Sequence, residues 1–498
     1  MLNSLRVNTL TSYISQGYAA IIGIAVMPFL FSALGSDAFG LIGFFTVAQV
    51  VINLLGSGFN PTLSREVAKE KKRFKNVYLI SVIKSFELIF SFLVIFILIG
   101  AFFISNWFAS EWFESQLSVD LLSSIVLIIF IVCAVRFQSV LYLSALRGFE
   151  DFLWINSVSI IINTFRFPIS LLFVNYYPSI KLYFIFHLVI AVVELLIMRN
   201  RTGKLLGINF WLPDHFSFYN IKKLGKFAKA VAITAVISVA IGQADKVLMS
   251  KLLTLSEYGY FTVCIMLANG ILLLGFPIGT VLIPRLTALY ADDSLDEFRQ
   301  LYIKFTKFVC IFIVPGAIVL AGFSQNIIYL FTDSIEAASW GKDILSYYTL
   351  GNAFLIVGGF QYYQQVAKGN LKYHVRYSTA LLVCSLPLLV IFANKYGAIA
   401  VAVIWFAFRL IAFVFWVPYI HKKMETIKYS QWFSHAVFPG LLTACIAYGL
   451  FKSNDVEIVN NKVLLMSQLI LFYCGTLGVT YLCYKFSSKI RYFKLGQS

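Results

Sequence analysis

Charge is scarce in this 498-residue chain: Asp, Glu, Lys and Arg together make up 13 % of it, about half the ~25 % usual in a soluble domain. Acid is the scarcer sign, with 23 Asp and Glu against 40 Lys and Arg and a net charge of +17. No basic soluble segment exists to carry that excess onto a nucleic acid, so nucleic-acid binding is excluded as a function class. The seven cysteines all lie in apolar runs and form neither a CxxC pair nor a Cys/His set, which argues against zinc and disulfides. The five histidines are scattered. No HExxH, nucleophile elbow or Walker loop is present, so metal hydrolysis, acyl transfer and ATP-driven pumping have no visible machinery. No enzyme activity and no cofactor are expected. The first apolar run has no small-residue cleavage site and leads into a second, which points away from a cleavable signal peptide.

What fills the chain is hydrocarbon: 60 % of residues are hydrophobic, including 49 Phe and 27 Tyr. Windows of ~20 apolar residues predict about 14 membrane spans. They fall near 12–34, 40–62, 79–104, 121–146, 154–176, 180–198, 227–250, 258–284, 305–322, 344–366, 375–393, 396–420, 434–451 and 463–484. The class is an all-α polytopic membrane protein. Tight connections at 35–39, 177–180 and 394–395 make those neighbours antiparallel. Alternate loops hold about 27 bases in one set and about six in the other. The basic set, which includes the bases between Arg65 and Lys75 and those between Arg199 and Lys226, is cytoplasmic by the positive-inside rule, and so are both termini. The loop 105–120 carries Glu111, Glu114 and Asp120 and no base. Its Trp107, Phe108, Trp112 and Phe113 read as an outer interfacial belt. In the linker 204–226, Phe218, Ile221, Leu224 and Phe227 recur at helical spacing among lysines. That pattern fits an amphipathic helix on the inner leaflet as well as it fits an ordinary positive stop.

Two segments echo each other. AVRFQSVLYLSALRG (134–148) and GFQYYQQVAKG (359–369) both run from Phe-Gln through polar and aromatic residues to a base followed by Gly. A second pair, Leu30–Glu66 and Leu248–Arg285, each has a short turn ending in Phe-Gly or Tyr-Gly and then a Gly-rich span closing on Pro and Arg. Gly40 matches Gly259. Both halves begin on the same side, so the repeat is parallel.

With the turn LGSDAFGLIGFF, the Asp-Lys of QADKVLMSKLL and the paired Phe-Gln segments, the chain resembles the Wzx-like group of lipid-linked oligosaccharide flippases. That group lies in the multidrug/oligosaccharidyl-lipid/polysaccharide exporter superfamily. The resemblance implies two pseudo-symmetric six-helix lobes in a V, at 1–203 and 227–424, joined by the 204–226 linker and followed by helices 13 and 14 in 425–498. It implies alternating access in a bacterial cytoplasmic membrane and an undecaprenyl-pyrophosphate-linked glycan, such as an O-antigen repeat unit of lipopolysaccharide, as cargo. Membrane lipids, H+ or Na+ as coupling ion, and polysaccharide polymerase and chain-length machinery are the partners it implies. Three alternatives stay open: a drug/cation antiporter of the same superfamily, a peptidoglycan-precursor flippase, and an integral-membrane glycan polymerase or ligase. The lack of an acid in the first span and of a long outer loop weighs against the first and third, and the lack of a base in that span weighs against the second.

The charges inside spans carry the mechanism. Arg136, Arg166 and Arg409 fall near mid-depth. Arg136 lies eleven residues from Arg147, roughly 16 Å at ~1.5 Å per residue. A cation there costs at least ~2.5–3.5 kcal/mol unless it meets water or a counter-charge. An Arg cannot shed its proton. These three either line a wet cavity and grip phosphate oxygens or pair with acids on neighbouring helices. Gln138 and Gln361 are candidates for holding sugar hydroxyls, or else for helix–helix hydrogen bonds. Asp245 and Lys246 are the coupling-ion candidates, or a helix-end anchor. Lys84 and Glu87, one turn apart, should pair, and Glu194 falls near the inner end of its span. Pro28, Pro168, Pro277, Pro315 and Pro387 inside spans are either hinges or static kinks. The base asymmetry predicts that a cytoplasm-only reporter fused to Ser498 is active and that an exterior-only reporter at Ser110 is active. Activity in the opposite compartment at either site would reverse the orientation.

Overall fold

The computed structural model describes residues 2–70, 76–207, 217–453 and 462–495, and among them there is no β-strand. Among the described residues, eleven helices are long and apolar enough to cross a membrane. Two of them are pairs of spans joined end to end: α1 (Leu2–Asn53) turns at Gly35 (φ 81°) and α14 (Lys372–Ile411) at Gly397 (φ 66°). Both glycines hold a left-handed backbone that other residues enter only with strain. These turns stand where loops were expected at 35–39 and 394–395. Counting both arms of each, and adding α12 (Ile335–Gly358) with its continuation α13 (Phe360–Ala367), gives the fourteen spans read from the sequence.

The chain forms two compact units, 1–259 and 260–498. The first holds α1, α2 (Phe59–Glu70), α3 (Asn76–Trp107), α4 (Val119–Phe149), α5 (Phe152–Thr164), α6 (Ser170–Tyr176), α7 (Ile180–Leu206), α8 (Phe218–Leu252) and the first turn of α9 (Leu255–Ala291). Its centre is α4, which packs against α1, α2, α3 and α7. Ile125, Val126, Ile129, Val132, Phe137 and Leu141 of α4 are fully buried. By contrast α3 presents Leu88, Phe92, Ile95, Phe96, Ile99, Phe102 and Phe103 outward. A stripe that apolar is stable only against lipid. Association between helices in lipid depends on close backbone approach through small residues. Gly148 of α4 lies on the Ser64 carbonyl of α2, Gly58 lies on the Ala228 carbonyl of α8, and Gly56 sits under the rings of Phe90 and Phe137, which stack at 4.6 Å. By sequence symmetry α8 opens the second lobe; its contacts here are with α1, α2 and α3.

Several expected loops are built differently. In the 105–120 segment, α3 runs on into a π-helical turn at Phe108–Trp112, and Glu114 forms a single bridge with Thr254. Trp112 Nε1 donates to Ser250 Oγ at 3.1 Å, and the Lys251 ammonium donates to the Glu111 carbonyl. The expected belt of aromatics is therefore partly a docking surface for the end of α8. The expected loop 323–343 is helical over most of its length, as α11 (Ser324–Thr332) and the start of α12. In the 204–226 linker, residues 208–216 and the side chains of 218–227 lie outside the described set. The backbone from Phe218 is helical and continuous with α8.

The second unit is organised on α10 (Leu295–Gly322), which packs against α12, α17 (Phe438–Ser453) and α18 (Lys462–Leu495). Between them lie α15 (Val417–Met424) and α16 (Tyr429–Trp432). The fully buried Trp432 donates to Thr306 at 3.0 Å and stacks on His421, whose Nε2 accepts from Tyr302 at 3.1 Å. The Tyr473 hydroxyl donates to the Phe312 carbonyl at 3.0 Å, so the two appended spans are tied to α10.

The matched glycines meet within the first unit. A methyl group on Gly40 would overlap the Leu255 carbonyl, and one on Gly259 would overlap the Ser36 carbonyl. Ser36 Oγ and Ser256 Oγ are 2.5 Å apart. Cysteines replacing Ser36 and Ser256 are therefore expected to form a disulfide on mild oxidation, and adding Gly259→Leu should lower its yield severalfold. Failure of the Ser36→Cys/Ser256→Cys protein to crosslink, read by gel mobility, would contradict the clasp.

Candidate functional site

One face of α7 carries a polar ladder. His187, Glu194 and Arg201 stand seven residues apart, which returns to nearly the same side of a helix. Each meets a group on another element of the first unit. Arg136 Nη2 of α4 donates to His187 Nδ1 at 3.1 Å. Arg166 Nη2 donates to Glu194 Oε2 at 2.7 Å. Arg201 Nε donates to Asp151 Oδ2 at 2.7 Å. Because a guanidinium can only donate, His187 Nδ1 accepts, and the ring is neutral. The ring lies 4.3 Å from that of Tyr183. Arg136 lies 4.8 Å over the Phe45 ring, a cation–π contact.

Arg166 occupies a π-helical turn, Phe165–Ile169, between α5 and α6. Pro168 in that turn cannot donate a backbone hydrogen bond, which breaks the regular ladder. Glu194, near the inner end of its span, pairs with Arg166: its carboxylate side chain is 22 % exposed and faces a cation inside the unit. The bond is monodentate. Nη1 of Arg166 reaches Asn163 Oδ1 only at 3.4 Å, and Nε of both Arg136 and Arg166 is buried with no hydrogen-bond partner among the described residues. Arg136 lies in electrostatic range of both Arg166 and Glu194. One carboxylate thus bonds Arg166 and lies near Arg136. The surplus positive charge and the two idle N–H donors are what an oxyanion would satisfy.

A second cluster lies further along α7. Glu87 of α3 accepts from Tyr142 at 2.7 Å and from Arg199 at 3.0 Å, with Lys84 at 3.7 Å. The expected Lys84–Glu87 pair is present, but its acid is shared with two tighter partners on other helices. Gln138 stands one turn from Tyr142 and donates to Ser91 at 3.4 Å, while its carbonyl oxygen is buried without a donor among the described residues. Here too the bases outnumber the acid.

Asp245 is 3 % exposed. Its carboxylate lies 3.5 Å from Lys246 Nζ, which donates to the Gly242 carbonyl at 2.6 Å. Arg409 belongs to the second unit. It lies 4.4 Å over Trp405 and near Tyr377. Trp405 donates to Asn352 Oδ1 at 3.2 Å, and Asn352 donates to the Ala268 carbonyl at 2.9 Å. Gln361 accepts from Gln365 at 2.5 Å, and Gln365 Oε1 accepts from the His374 backbone at 3.0 Å. Of the residues expected to hold cargo, Arg136 and Arg166 are brought together, Gln138 lies in the neighbouring cluster, and Arg409 and Gln361 sit in the other unit. His187, Glu194 and Arg199 are additions, and the seven-residue spacing on α7 was the signal available for the first two.

A family model described as polysaccharide biosynthesis protein matches residues 5–290. Among curated proteins, none matches by sequence. Among solved structures, the fold is similar to that of the lipid II flippase MurJ in an inward closed conformation, with a TM-score of 0.68 at 19 % identity, covering 98 % of this chain and 99 % of that one. It is also similar to an inward-facing multidrug resistance MATE transporter of the MOP superfamily, with a TM-score of 0.63 at 12 % identity over 82 % of this chain and 95 % of the other. The MATE multidrug transporter DinF-BH bound to R6G matches with a TM-score of 0.57 at 14 % identity, covering 85 % and 96 %. The fold is that of membrane transporters and flippases.

Removing one partner of a mostly buried ion pair strands the other, a loss of roughly 3–5 kcal/mol. Arg166→Ala is therefore expected to lower thermal stability in detergent sharply, and Arg166→Ala/Glu194→Ala to recover part of the loss. Equal stability of the single variant and the unaltered protein would contradict the pairing.

Proposed function

The chain belongs to the polysaccharide biosynthesis protein family, and from that premise we propose that it translocates an undecaprenyl-pyrophosphate-linked oligosaccharide across the bacterial cytoplasmic membrane. The observation that carries this reading is the Arg136–Arg166 pair. Two half-buried guanidinium groups in the spans of the first unit have one carboxylate near them, bonded to Arg166 alone, and keep two N–H donors idle. A pyrophosphate supplies several acceptor oxygens in the geometry an Arg fork grips.

The polyprenyl tail stays in lipid, and the glycan crosses beside the polar face of α7. Gln138 and the Glu87–Tyr142–Arg199 cluster offer hydrogen bonds along that face. Alternating access opens and closes the Ser36–Ser256 clasp, with an ion gradient as the driving force. Both termini are cytoplasmic, the cargo is an O-antigen-type repeat unit, and Arg409 is a further anion-binding residue. The process needs no covalent chemistry. A cation antiporter would need acids where this chain has bases, and the first arm of α1, up to Gly35, carries none.

Removing one charge-assisted hydrogen bond costs about 1.5–3 kcal/mol, or roughly one to two decades of apparent affinity. Arg136→Ala, Arg166→Ala and Arg409→Ala should each depress glycan export by that order in a strain depending on this protein, normalised to membrane-inserted protein. The Lys variants keep charge but lose the fork and should fall between. Normal export by all three Ala variants would overturn an anionic cargo.

A further inference from the structure

We propose that Glu194 is a built-in competitor for the anion site: its carboxylate occupies Arg166 when the site is empty, and the pyrophosphate of the cargo displaces it. The inference rests on the proposed function and deepens it by naming how the empty site is kept neutral enough to exist and what cargo must do to enter.

The geometry is that of an exchangeable pair. A locked Arg–carboxylate bridge engages two parallel N–H donors. Arg166 gives Glu194 a single one, Nη2 at 2.7 Å, and its Nε stays without a partner among the described residues. Glu194 also lies in electrostatic range of Arg136, whose own hydrogen-bond partner is the neutral His187. Without Glu194 the two guanidinium groups would face each other uncompensated between apolar helices, a state lipid penalises heavily. With Glu194 in place, the pair is held while half of each fork stays open. An incoming pyrophosphate carries more charge and more acceptors than one carboxylate, so it can bind Arg136 and Arg166 together.

Arg166 also stands on a π-helical turn, the kind of local irregularity that recurs at functional sites. Ser170 Oγ donates to the Arg166 and Phe167 carbonyls at 2.7 and 2.8 Å, tying the end of that turn to its middle. The guanidinium is therefore carried on a braced backbone while its partner is held by one hydrogen bond. Asn163 can retain the Arg166 side chain through Nη1 as the carboxylate leaves.

The test is equilibrium binding of farnesyl pyrophosphate, with inorganic pyrophosphate in parallel, to the full-length protein in nanodiscs. Glu194→Gln removes the competing charge and keeps an acceptor for Arg166. It should tighten farnesyl pyrophosphate binding about tenfold, the scale of one charge-assisted hydrogen bond that the competitor no longer makes. Arg136→Ala and Arg166→Ala should weaken it. If both Ala variants weaken binding while Glu194→Gln binds no tighter than the unaltered protein, Glu194 is a structural partner only; the proposal falls and the proposed function stands. If no binding depends on either arginine, both fall. Inorganic pyrophosphate binding as tightly as the farnesyl form would overturn a lipid-linked source for the anion.

Should Glu194→Gln fail to fold, the unaltered protein supplies the readout. Labelling of Glu194 by a hydrophobic carbodiimide, read by mass spectrometry, should rise severalfold when farnesyl pyrophosphate is added, because the carboxylate is released from Arg166. Unchanged or reduced labelling would overturn the exchange.

Discussion

A guanidinium group placed among lipid-facing helices cannot escape its own charge. Lysine and histidine can deprotonate and carboxylates can protonate, but Arg136 and Arg166 stay cationic at any pH the cell reaches. A ladder of polar groups in the first unit answers to that constraint and to its counterpart at Arg201. His187 turns its acceptor nitrogen to Arg136, Phe45 offers its ring face, Asn163 and Glu194 converge on Arg166, and Asp151 meets Arg201. The apolar shell has to be tight for this to work, because each interaction strengthens as water is excluded. The fully buried face of α4 supplies that shell.

The same helix links the charge network to the packing of the unit. Its aromatic contact with α3, Phe137 on Phe90, lies beside Arg136 and Gln138 in the chain. Gly148 fixes its other end against α2. Motion of α4 relative to α7 would therefore move Arg136 against His187 and Glu194. The glycine clasp at Gly40 and Gly259 joins the turn after the first arm of α1 to the start of α9 through close backbone approach, with the Ser36 and Ser256 hydroxyls bonded beside it. Contacts of that type are all-or-none, since close-packed surfaces separate rather than stretch, and they suit an element that alternates between two states.

Much of the fold was legible because lipid imposes long apolar runs, and runs can be counted. The fourteen spans follow from that. The π-helical turns were not legible. Pro168 reads equally well as an ordinary kink, and whether a proline gives a kink or a π-helical turn depends on the helices packed around it. The site was half legible. The cost of burying Arg136 and Arg166 flagged both residues, yet Glu194 lies 28 residues from Arg166 on another helix, and spacing along one helix says nothing about what faces it across a bundle. Gln361 and Gln365, and Trp405 and Arg409, each stand four apart, so those partnerships could be anticipated. The sharing of Glu87 among three donors could not, because it assembles three helices.

The central claim is that negative charge on the cargo is what the buried arginines recognise. Leaflet exchange in liposomes measures it most directly. Purified protein would be reconstituted with two fluorescent lipids that share one polyprenyl tail and one oligosaccharide, the first joined through pyrophosphate and the second through an uncharged linker. The prediction is protein-dependent exchange of the pyrophosphate lipid, with the neutral lipid remaining at the protein-free rate. Equal acceleration of both lipids would contradict the account.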